Sequence, residues 1–272
     1  MKILYVTDLH GYKTKYDQVF DLALENKVDV VINGGDMLPK NVDLLKQDDF
    51  IIRYLDKYFS KFNEEGIYYL SYLGNDDLRI FDSLFDDTCK KYDLVYNIAQ
   101  KKIEINRYEF IGMNWVVDYP FRLKDRCRKD TKDYDFQVQL GTGLLSTSNG
   151  FKEINDWVEY ANTLPTIEEE LFKLPAPCDV NRSIYVIHTP PYGLGLDKCM
   201  NGQKVGSKAL YKFLLNKQPI MSLHGHIHES PDVTFTWKNN INKTICIQPG
   251  QMKKLTYVLI DLDNMNIERI EI

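Results

Sequence analysis

Several features that would define a protein class are missing from this sequence of 272 residues. No run of about 18 apolar residues occurs, so we expect no membrane span and no membrane partner. The net charge is −5, which argues against the broad basic surface of a nucleic-acid-binding protein. A strand-like segment starts at residue 2, so we also expect no signal peptide.

The cysteines give no sign of a disulfide framework. Their number is odd, their spacing is wide and no CxxC pair occurs; they are Cys89, Cys127, Cys178, Cys199 and Cys246. This pattern predicts reduced thiols in a cytoplasmic protein.

What the sequence does contain is an alternation of apolar strands and amphipathic helices. Apolar residues make up 44% of the chain, and the length suits a single α/β domain over residues 1–272. The strand–helix–strand order implies parallel neighbours, with strands at 3–6, 28–32, 67–73, 183–187, 219–223 and 244–247, and helices at 16–26, 49–65 and 208–215. Antiparallel pairing is predicted for a hairpin at 101–113 and for strands at 255–262 and 266–272.

Five of the apolar segments end in a small polar motif. The motifs are Asp8 with His10, Asp36, Asn75 with Asp76, His188, and His226 with His228. Each motif alone has an ordinary explanation as a helix cap, a Gly-rich turn or a hydrogen-bonded core histidine. Parallel strands, however, place their carboxyl ends at one edge of a sheet, so Asp8 and Asp36 can lie near each other there.

The combined chemistry of these motifs favours metal binding. Carboxylates, imidazoles and one amide oxygen together suit two divalent transition-metal ions better than one, because a single closed site needs only about four ligands. Asp36 could bridge both ions. Two ions about 3.5–4 Å apart polarise a phosphoryl group and lower the pKa of a shared water.

The order of these motifs resembles that of the calcineurin-like metallophosphoesterase family, especially its small single-domain bacterial and archaeal members. The motifs are Asp8-x-His10, Gly35-Asp36, Gly74-Asn75, His188 and Gly225-His226-x-His228. The resemblance implies an α/β fold, a four-layer sandwich of two mixed β-sheets flanked by helices. It also implies dinuclear metal-dependent hydrolysis of phosphate esters, with phosphodiesters favoured over monoesters.

The same resemblance implies two sets of ligands for Mn, Fe or Zn ions. The first ion would be held by Asp8, His10, Asp36 and His228. The second ion would be held by Asp36, Asn75, His188 and His226.

One position departs from the family pattern. The family usually has a histidine directly after the asparagine, where it contacts the phosphate and can protonate the leaving group. Asp76 stands there in this chain. Beside two cations its pKa should be lowered, so we expect an ionised carboxylate that is a poor acid and repels phosphate. His224 is interpreted as a supporting or packing residue, with help to catalysis through a water as the alternative.

Residues 118–180 interrupt the strand pattern, and we predict an insertion or elaboration over one edge of the core, with a helix around 151–160. Its basic run comprises Arg122, Lys124, Arg126, Arg128, Lys129 and Lys132. The first interpretation of this run is a solvated surface. The alternative is a lid, in which arginines clamp a phosphate and nearby aromatic rings stack a base, with Trp115, Tyr119 and Phe121 as the rings.

Two functions remain open from the sequence. The first is an enzyme acting on a small phosphorylated substrate, with nucleotide-like compounds among the candidates. The second is a catalytically weak binding or scaffold protein that retains the fold. All seven expected ligand positions carry ligand-type residues, which favours the enzyme.

Overall fold

Two six-stranded β-sheets form the centre of the computed structural model, which describes residues 1–272. In chain order the strands are β1 (Lys2–Val6), β2 (Val30–Asn33), β3 (Tyr68–Ser71), β4 (Val95–Asn97), β5 (Lys102–Ile105), β6 (Tyr108–Met113), β7 (Val116–Val117), β8 (Cys127–Arg128), β9 (Gly143–Thr147), β10 (Gly150–Ile154), β11 (Ser183–Ile187), β12 (Met221–Leu223), β13 (Lys238–Ile241), β14 (Thr244–Ile247), β15 (Thr256–Asp261) and β16 (Asn266–Glu271). The helices are α1 (Lys13–Glu25), α2 (Gln47–Phe50), α3 (Asp56–Glu64), α4 (Asp82–Cys89), α5 (Trp157–Asn162), α6 (Ile167–Lys173), α7 (Lys208–Lys217) and α8 (Ser230–Thr234).

Both large sheets are mixed, as the resemblance to the family implied. The first has the order β16-β15-β1-β2-β3-β4, with β1 to β4 parallel and the closing pair antiparallel. The second has the order β13-β14-β12-β11-β6-β5, with β6, β11, β12 and β14 parallel. Strand–helix–strand connections therefore bring the carboxyl ends of several strands to one edge of each sheet.

Alternating side chains divide the core into layers. In β1, Ile3 and Tyr5 point into the space between the two sheets, whereas Leu4 and Val6 pack under α1 and α3. This follows from the two-residue period of an extended strand. On the far side, α6 and α7 cover the outer face of the second sheet. The predicted four-layer α/β sandwich is confirmed.

Two local predictions need correction. The helix predicted around 151–160 is wrong in its first half, since Gly150–Ile154 pairs with Gly143–Thr147 as a hairpin. Gly150 adopts a φ of 118° at this turn, a conformation open to glycine, and the helix starts only after Asp156, whose side chain caps it.

The short strand β4 was not predicted. The helix predicted at 49–65 is part of a longer helical stretch whose middle turn, Ile51–Leu55, is a π-helix.

The interpretation of the basic run as a solvated surface is wrong for three of its cations. Lys124, Arg126 and Arg128 are buried. Lys124 Nζ lies 2.9 Å from an Asp118 carboxylate oxygen, and the Arg128 guanidinium lies 3.9 Å from the centre of the Trp115 ring. These cations therefore point into the protein, where charges require partners.

Arg126 connects the segment to the strand-end loops. Its Nε donates to the carbonyl oxygen of Gly74 over 2.7 Å, and its guanidinium pairs with Asp82 at the start of α4. A buried arginine whose guanidinium already contacts protein groups cannot also clamp a substrate. Arg126 and Arg128 therefore do not support the lid hypothesis. The segment has a small core of its own around Trp157, and its status as an insertion remains a prediction.

No helix of the protein is both long enough and apolar enough to cross a membrane.

The buried position of Arg126 leads to a stability prediction. Arg126→Met removes the buried donor of the Gly74 carbonyl and leaves Asp82 without its partner, so we expect a loss of about 2 kcal/mol in the free energy of unfolding. Arg122→Met is the matched control, because Arg122 is exposed and its surface pair with Glu153 should contribute less than about 1 kcal/mol. Urea unfolding of both variants measures the difference, and equal midpoints would contradict the anchoring role.

Candidate functional site

The predicted site residues lie where strands of both sheets end. Backbone hydrogen bonds continue past the strands and tie the loops together: Asp8 N donates to the Gly35 carbonyl oxygen and His10 N to that of Asp36, each over 2.9 Å. Between the loops of the second sheet, Gly225 N donates to the His188 carbonyl oxygen over 3.0 Å. The loop conformations are thus fixed by the main chain itself.

Four of the predicted ligand residues adopt a left-handed backbone. The φ values are 57° for Asp8, 44° for His10, 52° for Asp36 and 71° for His226. Such conformations are uncommon for residues other than glycine and cost on the order of 1–3 kcal/mol each in strained positions. Their concentration at one edge is typical of a functional site.

Gly74 allows two of the loops to touch. A Cβ at this position would lie only 2.2 Å from both the backbone N and the Oδ1 atom of Asp36. Any side chain there would push against Asp36, so the close approach of these loops depends on glycine.

One cluster of four ligand-type side chains is compact. One ligand atom from each of Asp8, His10, Asp36 and His228 lies within 4.8 Å of the others. His10 Nε2 faces His228 Nε2 at 3.1 Å, and His228 Nε2 lies 3.3 Å from Asp8 Oδ1. Imidazole nitrogens and carboxylate oxygens at this spacing form a donor set that fits a divalent transition-metal ion.

A second group surrounds His188. Its Nδ1 donates to the Gly34 carbonyl oxygen over 2.6 Å, which leaves Nε2 facing inward. That Nε2 atom lies 2.9 Å from Asn75 Oδ1 and 3.4 Å from Asp36 Oδ2. The His226 ring centre is 5.4 Å from that of His188. All seven predicted ligand residues therefore converge, and Asp36 belongs to both groups.

The buried charges at this edge change one another's pKa values. Burial raises the pKa of Asp8, yet His228 and His188 outweigh it and bring the value to about 2. For Asp36 burial is likewise outweighed by His188, and its pKa is held well below the ordinary range. Burial lowers the pKa of His188, but Asp36 raises it to about 9. Buried anionic carboxylates of this kind are stabilised by nearby positive charge.

Asp76 lies beside this cluster, and its side chain is 31% exposed. Its backbone N donates to Asp36 Oδ1 over 2.8 Å, and its Oδ1 accepts from Asn75 Nδ2 over 3.0 Å, which orients the Asn75 amide. Lys40 Nζ lies 3.2 Å from Asp76 Oδ2 and 3.0 Å from His10 Nε2. Burial and the Asp36 charge raise the pKa of Asp76 to about 6. The lowered pKa expected from the sequence applies to a site that holds two cations beside Asp76.

Sequence reasoning missed two residues of the site. Asp77 is fully buried, and its carboxylate accepts from the backbone N of Met37, Leu38 and Gly74 over 2.9, 2.8 and 2.7 Å. It thus joins the loops after β2 and β3. Lys40 was also missed, because it lies in a loop with no periodic pattern. A second aspartate directly after Asp76 was the only available signal for Asp77.

His224 occupies a supporting position behind the site. It is fully buried, and its Nδ1 lies 2.9 Å from the Ile187 carbonyl oxygen and 3.1 Å from that of Thr189. Burial lowers its pKa to about 4. This environment agrees with the packing role favoured from the sequence.

The sequence was compared with models of known protein families and with curated proteins. The family model for calcineurin-like phosphoesterases matches residues 1–230. No curated protein matches the chain by sequence.

Several solved structures share the fold. TT1561 of Thermus thermophilus is 16% identical with a TM-score of 0.59, and the match covers 99% of this chain and 98% of that one. A dimetal phosphatase from Danio rerio is 11% identical with a TM-score of 0.51 and coverage of 95% and 91%. A novel archaeal phosphodiesterase is 11% identical with a TM-score of 0.50 and 100% coverage of both chains. At these identities the likeness shows the fold.

The contact at Gly74 generates a prediction. Gly74→Ala should displace Asp36 and weaken divalent-metal binding by about 10-fold or more, the scale on which ligand misplacement acts. Gly66→Asn is the control, since a Cβ there meets nothing within 4 Å and Asn tolerates its left-handed backbone. Metal content per chain after dialysis, with circular dichroism to verify folding, measures the effect. Equal metal content in both variants would show that the contact is unimportant.

Proposed function

The chain belongs to the calcineurin-like phosphoesterase family and is therefore a metal-dependent hydrolase of phosphate esters; we propose that it uses two divalent ions and prefers phosphodiesters. The observation that carries the two-ion proposal is the position of Asp36. Its Oδ2 lies 3.4 Å from His188 Nε2 and 4.0 Å from His10 Nε2, so one carboxylate reaches both groups of donors.

The proposed ligands follow from these two groups. Asp8, His10, Asp36 and His228 would hold the first ion, and their donor atoms lie close enough together to do so. The second ion would be held by Asp36, Asn75, His188 and His226. Mixed nitrogen and oxygen donors favour Mn, Fe or Zn over harder ions. When bound, two such ions supply the positive charge that polarises a phosphoryl group and activates water.

The chain's own residues orient this chemistry. The Gly34 carbonyl fixes the His188 ring, and Asp76 holds the Asn75 amide so that its oxygen faces His188. Asp77 holds the two loops that carry Asp36 and Asn75. These contacts fix the ligand side chains before a substrate binds. Such pre-organisation is what electrostatic catalysis requires.

The proposed preference for phosphodiesters rests on Asp76. A phosphomonoester carries up to two negative charges near pH 7, whereas a diester carries one. The Asp76 carboxylate therefore repels a monoester more strongly, and Lys40 offsets only part of this charge at 3.2 Å.

The sequence alone left a catalytically weak scaffold that retains the fold as the alternative. The buried donors and the left-handed backbone at four ligand positions support the enzyme, because a scaffold has no need for a strained edge. The cytoplasmic location stays a prediction.

We expect Asp36→Asn to reduce hydrolysis by more than the roughly 100-fold that loss of a supporting group costs. The substitution keeps the size of the side chain but removes the charge shared by both donor groups. Asp49→Asn is the control on an exposed helix position. Rates on bis(p-nitrophenyl) phosphate, metal content and circular dichroism are measured together. Full activity with fewer bound ions would rule out the two-ion proposal.

A second variant tests the selectivity. Asp76→Asn should raise the rate ratio of p-nitrophenyl phosphate to bis(p-nitrophenyl) phosphate by roughly 10-fold, because one charge facing the phosphate is removed. Nitrophenolate needs no proton to leave, so the comparison separates charge from acid catalysis. The Asn oxygen can still accept from Asn75. If both rates fall by the same factor, Asp76 acts by positioning Asn75 and the charge argument fails.

A further inference from the structure

A cavity of about 620 Å³ opens directly onto the site. Asp36, Asn75, Asp76, His226 and His228 line its inner end. Its volume lies within the range of roughly 300–1,000 Å³ typical of small-molecule sites. A substrate whose phosphate reaches the metal ligands would therefore place one of its ester groups in this cavity.

The outer half of the cavity has apolar walls from two separate segments. Phe121 comes from one segment and Met200 from the other. Phe121 is 63% exposed and Met200 is 72% exposed. Large apolar side chains exposed around one cavity are typical of a binding site, and an aromatic ring with a polarizable thioether suits a flat ring as ligand.

The wall closest to the site is rigid. The Tyr119 ring lies 5.7 Å from the His226 ring. Its hydroxyl donates to the Leu123 carbonyl oxygen over 2.9 Å, and the buried Lys124 holds the Tyr119 carbonyl. The aromatic surface therefore begins next to the reacting phosphate and extends outward to Phe121, 5.9 Å away between ring centres.

The cavity offers positive charge at its inner end only. Lys40 is the one cationic side chain among its lining residues, and it lies against Asp76 and His10. Asp118 is neutralised by the buried Lys124, and Glu229 adds a negative charge. A second phosphate in the outer half would find no cationic partner, which favours an uncharged group as the ligand there.

Three of the polar groups on the wall are amides. Gln137, Asn201 and Gln203 line the cavity, and Gln137 is half-buried. An amide offers both donors and an acceptor, which matches the edge of a heteroaromatic base better than a plain phenyl ring.

Resting on the proposed function, we infer that the cavity binds the base of a nucleoside phosphate that carries a single phosphoryl group. The base would stack on Phe121 with Met200 opposite, its edge would meet the amide groups, and the phosphate would lie between Lys40 and the metal ligands.

Isothermal titration calorimetry of the metal-loaded protein tests this inference without any turnover. We expect thymidine 5′-monophosphate to bind about 10-fold or more tightly than methyl phosphate, since stacking on one aromatic side chain is worth that much. Phenyl phosphate should fall between the two. Thymidine 3′,5′-bisphosphate should bind no more tightly than the monophosphate, because the outer half holds no second cation.

Two variants locate the effect. Phe121→Ala should remove most of the preference for the thymidine ligand and leave the affinity for methyl phosphate unchanged. Phe172→Ala is the matched control, an exposed phenylalanine (90%) outside the cavity, and should retain the preference. Equal binding of phenyl phosphate and the nucleotide, tighter binding of the bisphosphate, or an unchanged preference in Phe121→Ala would each overturn the inference. Hydrolysis of bis(p-nitrophenyl) phosphate by the same sample tests the proposed function separately.

Discussion

The rest of the site depends on the contacts of the Asp36 carboxylate. It follows a strand of the first sheet, yet its Oδ2 lies 3.4 Å from His188 Nε2, which follows a strand of the second. It also accepts from the backbone of Asp76. A single buried anion thus links the loops of both sheets, and the face-to-face sandwich is what brings those strand ends within reach of one another.

Holding that anion in place has a cost in backbone freedom. Asp36 itself is left-handed, Gly74 can carry no side chain beside it, and Asp77 is buried to satisfy three backbone N–H groups. Strained conformations persist only where the surrounding structure over-determines them. Here the core layers on both faces of the sheets supply that rigidity, so the donor side chains converge without relying on flexible loops.

The sequence was informative where a residue's role follows from its place on a strand. The strand pattern and the parallel-strand rule were enough to bring Asp8 and Asp36 to one edge of a sheet. The second sheet, and with it the place of His188, was expected only from the resemblance to the family. Neither was enough for residues that act at a distance through the main chain. Asp77 serves backbone groups at positions 37 and 38, and Lys40 reaches His10 from a loop; neither relation leaves a local pattern.

Charge was the property least readable from the sequence. Lys124, Arg126 and Arg128 read as a surface run, but each is buried against a carboxylate, a carbonyl or an aromatic ring. Buried charges are tolerated when partners are present, and partners distant in the chain are visible only in the fold. The burial of these three cations also determines which side chains line the cavity. Because these cations are buried, the wall that the segment presents to the cavity carries the Tyr119 and Phe121 rings and the Gln137 amide but no cation. In the proposed site, the positive charge that a phosphate needs would come from Lys40 and from bound metal.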